Sequence, residues 1–226
     1  VDSGGRSVLA LDGKGLWLSR GADGVDVSVE LDGTYIVQRF RTGSESASAP
    51  VSVAMPEGAA GPAMFLTTAG GYLYAAVVEE AVGDGQQQSN LYRLDGAGRW
   101  TRVTDFRAEG TRWVSVSNVE LVDVDGRPAI LLTEQRGDAQ GDTADLDARP
   151  VIVDASTGKV VATGEAVPGD PQFIDRDRDG SLVVEVPAQD GAVRISTIEP
   201  DRVLGCGRSG SRGLALAGDP ATAAGD

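Results

Sequence analysis

Three carboxylates alternate along Asp175-Arg176-Asp177-Arg178-Asp179, and Gly180 follows them. Hard oxygen ligands at this spacing can converge on one cation, because the loop curls and the glycine permits a sharp turn. Calcium is the cation such a set suits, so Asp175, Asp177 and Asp179 are the candidate metal ligands. Ser181, at the seventh position, can add a carbonyl oxygen. The pattern weakens beyond it. Val183 and Val186 hold the ninth and twelfth positions, where a calcium loop carries oxygen ligands, and Glu185 lies one residue off. Arg176 and Arg178 also put positive charge inside the loop. The plainer reading is an Asp-rich hairpin turn with arginine partners. Asp123-Val124-Asp125-Gly126 is a shorter echo of the same pattern.

The chain has no histidine and a single cysteine, Cys206. A Ser-His-Asp or Cys-His arrangement is therefore impossible, although Asp2-Ser3-Gly4-Gly5 superficially resembles a protease nucleophile segment. Zinc sites built on histidine are excluded with it. A general base at neutral pH would have to be a carboxylate, Lys, Tyr or water. Carboxylate chemistry stays open, since a glycoside hydrolase needs two Asp or Glu groups flanking the scissile bond. Among 34 acidic residues some pair will stand at a suitable spacing in any fold. Trp17, Trp100 and Trp113 are the candidates for stacking on a sugar. Each lies beside apolar neighbours in a strand pattern, so core packing is the role expected of at least two. The expectation is a protein without catalysis, binding no cofactor unless calcium.

The formal net charge of -14 disfavours nucleic acid and anionic membrane surfaces as partners. No run approaches the roughly 20 apolar residues of a membrane span. Val203-Leu204-Gly205-Cys206 looks like a bacterial lipobox, but it lies far from the N-terminal apolar stretch that a working lipobox follows. The start at Val1-Asp2-Ser3-Gly4-Gly5 reads as that of a mature or trimmed product. Lys occurs only at Lys14 and Lys159, and every other basic residue is Arg. That is the bias of GC-rich coding, as in an actinobacterium.

The elements that must position these groups are strands. Val25, Val27, Val29 and Leu31 alternate with Asp26, Ser28 and Glu30, the period of a half-buried strand. Leu182, Val184 and Val186 alternate with Ser181, Val183 and Glu185 in the same way. Asp-Gly pairs, the strongest short hairpin signal, stand at Asp12-Gly13, Asp32-Gly33, Asp95-Gly96, Asp125-Gly126, Asp179-Gly180 and Asp190-Gly191. Gly70-Gly71 and Thr157-Gly158 serve similarly. These turns fall into four antiparallel hairpin-rich units, near 6–42, 62–107, 113–165 and 171–199. Regular repetition of short antiparallel strands predicts an all-β, β-propeller-like fold, and a β-sandwich or a barrel would give a similar texture. Residues 43–61 read as a long connection and 135–149 as a loop inside the third unit. One domain is expected over 1–206, with an irregular C-terminal tail over 207–226 anchored by Leu214 and Leu216.

Within the third unit, Asp154-Ala155-Ser156-Thr157-Gly158-Lys159 resembles the strand-turn-strand signature of quinoprotein-like β-propellers. In that signature Thr157-Gly158 makes the tight turn, and Asp154 accepts hydrogen bonds from its amides. The family's docking tryptophan is replaced here by Ala162. Leu91 to Trp100 form a similar hairpin in the second unit and keep the tryptophan. The resemblance implies a propeller and no particular cofactor. Propellers present loops for partner contacts at the ends of a rigid frame. The expected function is therefore that of a non-catalytic, extracytoplasmic binding or scaffold protein of a bacterial cell envelope. It would offer the connections at 43–61, 80–90 and 135–149 to a protein partner. The alternatives are a carboxylate-based glycoside hydrolase or carbohydrate-binding protein, and an accessory subunit of a larger envelope complex.

Overall fold

A computed structural model describes residues 14–21, 24–41, 43, 47–80, 87–138, 146–187 and 192–198. The Asp12-Gly13 and Asp190-Gly191 turns, Cys206 and the tail at 207–226 lie outside the described residues. Every regular element among the described residues is a strand. β1 (Lys14–Gly21), β2 (Gly24–Leu31), β3 (Thr34–Arg41) and β4 (Val51–Ala54) form the first sheet. β5 (Ala59–Ala69), β6 (Tyr72–Glu79), β7 (Ser89–Leu94) and β8 (Trp100–Arg102) form the second. The third holds β9 (Arg112–Val124), β10 (Arg127–Asp138), β11 (Asp147–Asp154) and β12 (Lys159–Thr163), with β13 (Val167–Pro168) paired to β11. β14 (Gln172–Arg176), β15 (Leu182–Pro187) and β16 (Val193–Ile198) form the fourth. Neighbours in each sheet are antiparallel, and each sheet is complete before the next begins.

The turns explain this local order. Asp32 and Gly33 both take positive φ (49° and 75°), as do Asp125 and Gly126 (54° and 77°). Two consecutive positive φ values define the hairpin turn whose twist matches that of its strands. The Asp123 carboxylate accepts the Gly126 amide at 2.7 Å. At the resemblance motif, Asp154 Oδ1 accepts the amides of Ser156 and Thr157 at 3.0 and 2.8 Å, together with both hydroxyls. The Ser156 hydroxyl and the Thr157 amide lead the stabilisation that lowers its carboxyl to about 2.

Two expected connections contain strand. Val51 and Val53 alternate with Ser52, and that short alternation suffices to pair β4 with β3 inside the supposed connection at 43–61. The supposed loop at 135–149 is shorter at both ends. β10 runs on to Asp138 and β11 begins at Asp147, because Gln135 and Arg136 still pair with Ala148 and Asp147.

The sheets stack in chain order. Tyr35, Leu66, Leu73 and Val77 pack between the first and second sheets. Tyr74, Leu91, Val114, Ile130 and Leu132 pack between the second and third. Leu131, Ile152, Phe173, Leu182 and Val184 pack between the third and fourth. Ile130 and Leu132 serve one seam, and Leu131 serves the next. This is why β10 is continuously apolar: a strand buried on both faces loses its alternation. Polar bonds cross each seam as well. Trp17 Nε1 donates to the Met64 carbonyl at 3.1 Å, Tyr74 Oη to the Ala155 carbonyl at 2.9 Å, and the Phe173 amide to Thr133 Oγ1 at 3.0 Å.

Candidate functional site

In the second and third sheets the two ends of the strands differ. At one end the connections are tight: 70–71, 95–99, 125–126 and 155–158. At the other end they are long: 80–88, 103–111 and 139–146. The strand ends that these long connections join lie together. Gln88 bridges Val114 in parallel, and Gln88 Oε1 accepts the Ala108 amide at 3.4 Å. Thr111 Oγ1 donates to Asp138 at 2.9 Å, and Arg136 Nη1 donates to the Arg107 carbonyl at 3.2 Å.

A layer of ion pairs underlies this end. Glu79 accepts the Tyr92 hydroxyl and the Gln88 amide, both at 2.6 Å, and Arg102 Nη2 at 2.9 Å. Arg102 reaches on to Asp105 at 2.9 Å. Arg112 pairs with Asp147 at 2.6 Å. Glu134, fully buried, is held between Arg136 at 2.8 Å and Arg149, whose Nη2 stands 3.0 Å from Oε1. Burial and the carboxylate of Glu79 push the Tyr92 phenol well above its ordinary range. That phenol is a fixed donor, not a base. Groups engaged in this way hold geometry.

A second feature lies near the tight-turn end, between the first and second sheets. Asp26, Arg39, Thr68, Tyr72, Val53 and Leu94 are among the residues lining a cleft of about 360 Å³. That volume lies within the range of small-molecule sites, about 300–1,000 Å³. Asp26 is 1% exposed. Arg39 grips it with Nε at 2.7 Å and Nη2 at 2.8 Å, and Thr68 donates its hydroxyl from β5. Burial alone would raise the Asp26 carboxyl. The hydrogen bonds from Arg39 and Thr68, with the charge of Arg39, outweigh it and hold the group below its ordinary value. Asp26 is thus a charged clamp across the first seam.

The sign of the pH dependence follows. A carboxyl depressed in the folded state contributes stability above its unfolded value of about 3.9, and that contribution fades as pH falls. Asp26→Asn should melt lower than the parent at pH 7, by about 1–3 kcal/mol for a lost charged hydrogen bond. The gap should narrow towards pH 3. Thermal melts across pH 3–7 check this, and a gap independent of pH would refute it.

The structure scatters the other sequence candidates. Asp175 is the next-to-last residue of β14, while Asp177 and Asp179 lie in the β14–β15 turn. Each caps a nearby amide: Asp175 that of Arg176 at 2.7 Å, Asp177 that of Arg178 at 2.6 Å, and Asp179 that of Ser181 at 2.9 Å. Among the described residues no three Asp, Glu, His or Cys side chains are grouped as a metal cage requires. Trp17 and Trp100 tie the first two sheets together. Trp100 donates to the Ala54 carbonyl at 2.7 Å and meets Tyr35 edge-on at 5.9 Å. Trp113 lies over Gly137, where an added Cβ would stand 2.5 Å from its ring.

Sequence reasoning did not single out Glu120. Burial pushes its carboxyl above the ordinary range, against a hydrogen bond from Asn118, and the charge of Asp175 adds to the push. Glu120 lies on β9 and Asp175 on β14, which pack together across the third seam. No sequence pattern marks the pair, because 55 positions separate its members. No protein-family model matches the chain, and comparison with curated proteins returned no match.

Proposed function

We propose that the chain is a non-catalytic binding or scaffold protein of a bacterial cell envelope, working outside the cytoplasm and offering its long connections to a protein partner. Reading the four consecutive sheets as propeller-like blades belongs to the same proposal. Its support is the stacking order: β1, β5, β9 and β14, the first strand of each sheet, neighbour one another from sheet to sheet.

The observation that carries the binding role is the segregation of connection lengths in the second and third sheets. Long connections on one end of a rigid stack are where partner contacts belong. The ion-pair layer of Glu79, Arg102, Arg112 and Glu134 fixes the strand ends beneath them. Affinity capture from detergent-solubilised native envelope, with calcium and then with chelator, tests the reading. A stoichiometric protein partner is expected, and Arg107→Glu should lower its yield several-fold with the melting temperature unchanged. A partner lost with chelator would give Asp175, Asp177 and Asp179 a calcium role. No protein partner in either buffer would overturn the reading.

Glu120 favours one rival. A carboxyl raised by burial, with a second carboxylate nearby, is what a glycoside hydrolase uses as its acid. Polysaccharide hydrolysis that disappears in Glu120→Gln would establish that rival.

A further inference from the structure

An acid stands three residues before the glycine in Glu30-Leu31-Asp32-Gly33, Asp123-Val124-Asp125-Gly126 and Asp177-Arg178-Asp179-Gly180. The Asp-Gly pair that ends each run is chemically labile, because glycine has no side chain to shield its amide nitrogen. That nitrogen can attack Cγ of the preceding Asp. An N–Cγ bond forms, and the amide proton and a carboxyl hydroxyl leave as water. Water then opens the succinimide ring at either carbonyl. Breaking the N–Cγ bond regenerates Asp. Breaking the original peptide bond leaves isoaspartate, with the main chain rerouted through Cβ and Cγ. The amide must shed its proton to attack, so a group that holds the proton slows the reaction.

Four Asp-Gly pairs have both members among the described residues, and each has one reactant engaged. Gly33 donates its amide to Glu30 Oε1 at 2.8 Å, and Gly126 to Asp123 Oδ1 at 2.7 Å. Gly180 donates to the Asp177 carbonyl at 2.9 Å. In Asp95-Gly96 the carboxylate is held instead. It accepts the Arg99 and Ala97 amides at 2.8 and 2.9 Å, which keep the carboxyl below its ordinary range. An ionised carboxylate is a poor target for the attacking nitrogen.

We propose that Asp125-Gly126 is a latent isoaspartate site, and that the Asp123 carboxylate keeps it closed by holding the Gly126 amide. Glu30 does the same for Asp32-Gly33. A hydrogen bond to the protonated amide and a negative charge beside it both oppose loss of the proton. Asp123, Asp125 and Gly126 are all exposed, so burial does not protect the turn from the water that opens the ring. Rearrangement there would add one methylene to the main chain of the hairpin between β9 and β10. β10 supplies Leu132 to the second seam and Leu131 to the third, so the added atom would disturb the strand that serves both.

The purified full chain, aged in neutral buffer well below its melting temperature, tests the proposal when isoaspartate is mapped peptide by peptide with mass spectrometry. In Asp123→Ala, isoaspartate at Asp125 should form about tenfold faster than in the parent, the scale of one lost hydrogen bond to a charged group. Asp32, guarded by Glu30 in another sheet, should keep the parent rate. Asp123→Asn retains an acceptor without the charge and should fall between the two. Glu30→Ala gives the reciprocal test at Asp32, with Asp125 as its control, should the Asp123 variant misfold. An unchanged rate at Asp125 in Asp123→Ala overturns the proposal. So does a slower rate, since Asp123 would then be drawing the proton off the amide. An equal rise at Asp32 and Asp125 in Asp123→Ala would mark general loosening of the fold and overturn it as well.

Discussion

Gly70→Val should cost about 3–5 kcal/mol of stability, the size of a left-handed backbone penalty added to a steric collision. Gly70 sits at φ 56° in the β5–β6 turn, a conformation that β-branched residues strongly resist. A Cβ there would stand 2.4 Å from the Ala155 carbonyl oxygen. That oxygen belongs to the backbone of the β11–β12 turn and cannot swing aside as a side chain would. It also accepts the Tyr74 hydroxyl at 2.9 Å, so moving it would break a buried hydrogen bond across the second seam. Gly71 separates the two causes. Its φ is 85°, but an added Cβ would meet nothing within 4 Å. Gly71→Ala should therefore lose only the backbone contribution, about 1–2 kcal/mol. Urea midpoints of the two variants give the comparison, and equal losses would show that the seam tolerates the intrusion.

The second large effect is expected at Glu134. Arg136→Leu with Arg149→Leu would leave a fully buried carboxylate without a cation, at a cost of about 3–5 kcal/mol. Adding Glu134→Leu should restore most of the loss, because a buried ion group replaced by apolar side chains of similar volume is often close to neutral. Chemical denaturation of the parent, the double variant and the triple variant measures both steps. A triple variant no more stable than the double would mean that the arginines act through other contacts, such as the bond from Arg136 to the Arg107 carbonyl.

Much of the strand framework was legible because turns are local chemistry. Asp32-Gly33 and Asp125-Gly126 need left-handed backbone at two adjacent positions, and few dipeptides supply it, so sequence and structure agree there. β4 was hidden because a four-residue strand at an edge offers only Val51 and Val53 as signal. The ends of β10 and β11 were hidden for another reason. Gln135, Arg136, Asp147 and Arg149 are polar, yet they continue the ladder because each side chain has a partner: Gln135 bonds Asp170, Asp147 pairs with Arg112, and Arg136 and Arg149 both pair with Glu134.

The same cause concealed the buried charges. Alternation in β2 correctly separates two faces but does not say which one faces the neighbouring sheet. The pattern predicts a half-buried strand. In the folded chain all five residues from Asp26 to Glu30 are buried, Val27 and Val29 included, and only Val25 and Leu31 at the ends of the row are exposed, so the middle of β2 is covered on both faces. Arg39, thirteen residues on, is what makes the burial of Asp26 possible, and a pairing at that distance depends on strand register. Glu120 was invisible because its environment comes from β14.

The stack has one more property. Among the described residues, each sheet leans chiefly on the sheets before and after it in the chain, so the free energy of the stack is close to a sum over units and seams, as in a one-dimensional array. The inner sheets have two neighbours to hold them and the outer ones have one. Cooperativity is then transmitted link by link: weakening the second seam would divide the array into two pairs of sheets, while weakening either outer seam would free a single terminal unit.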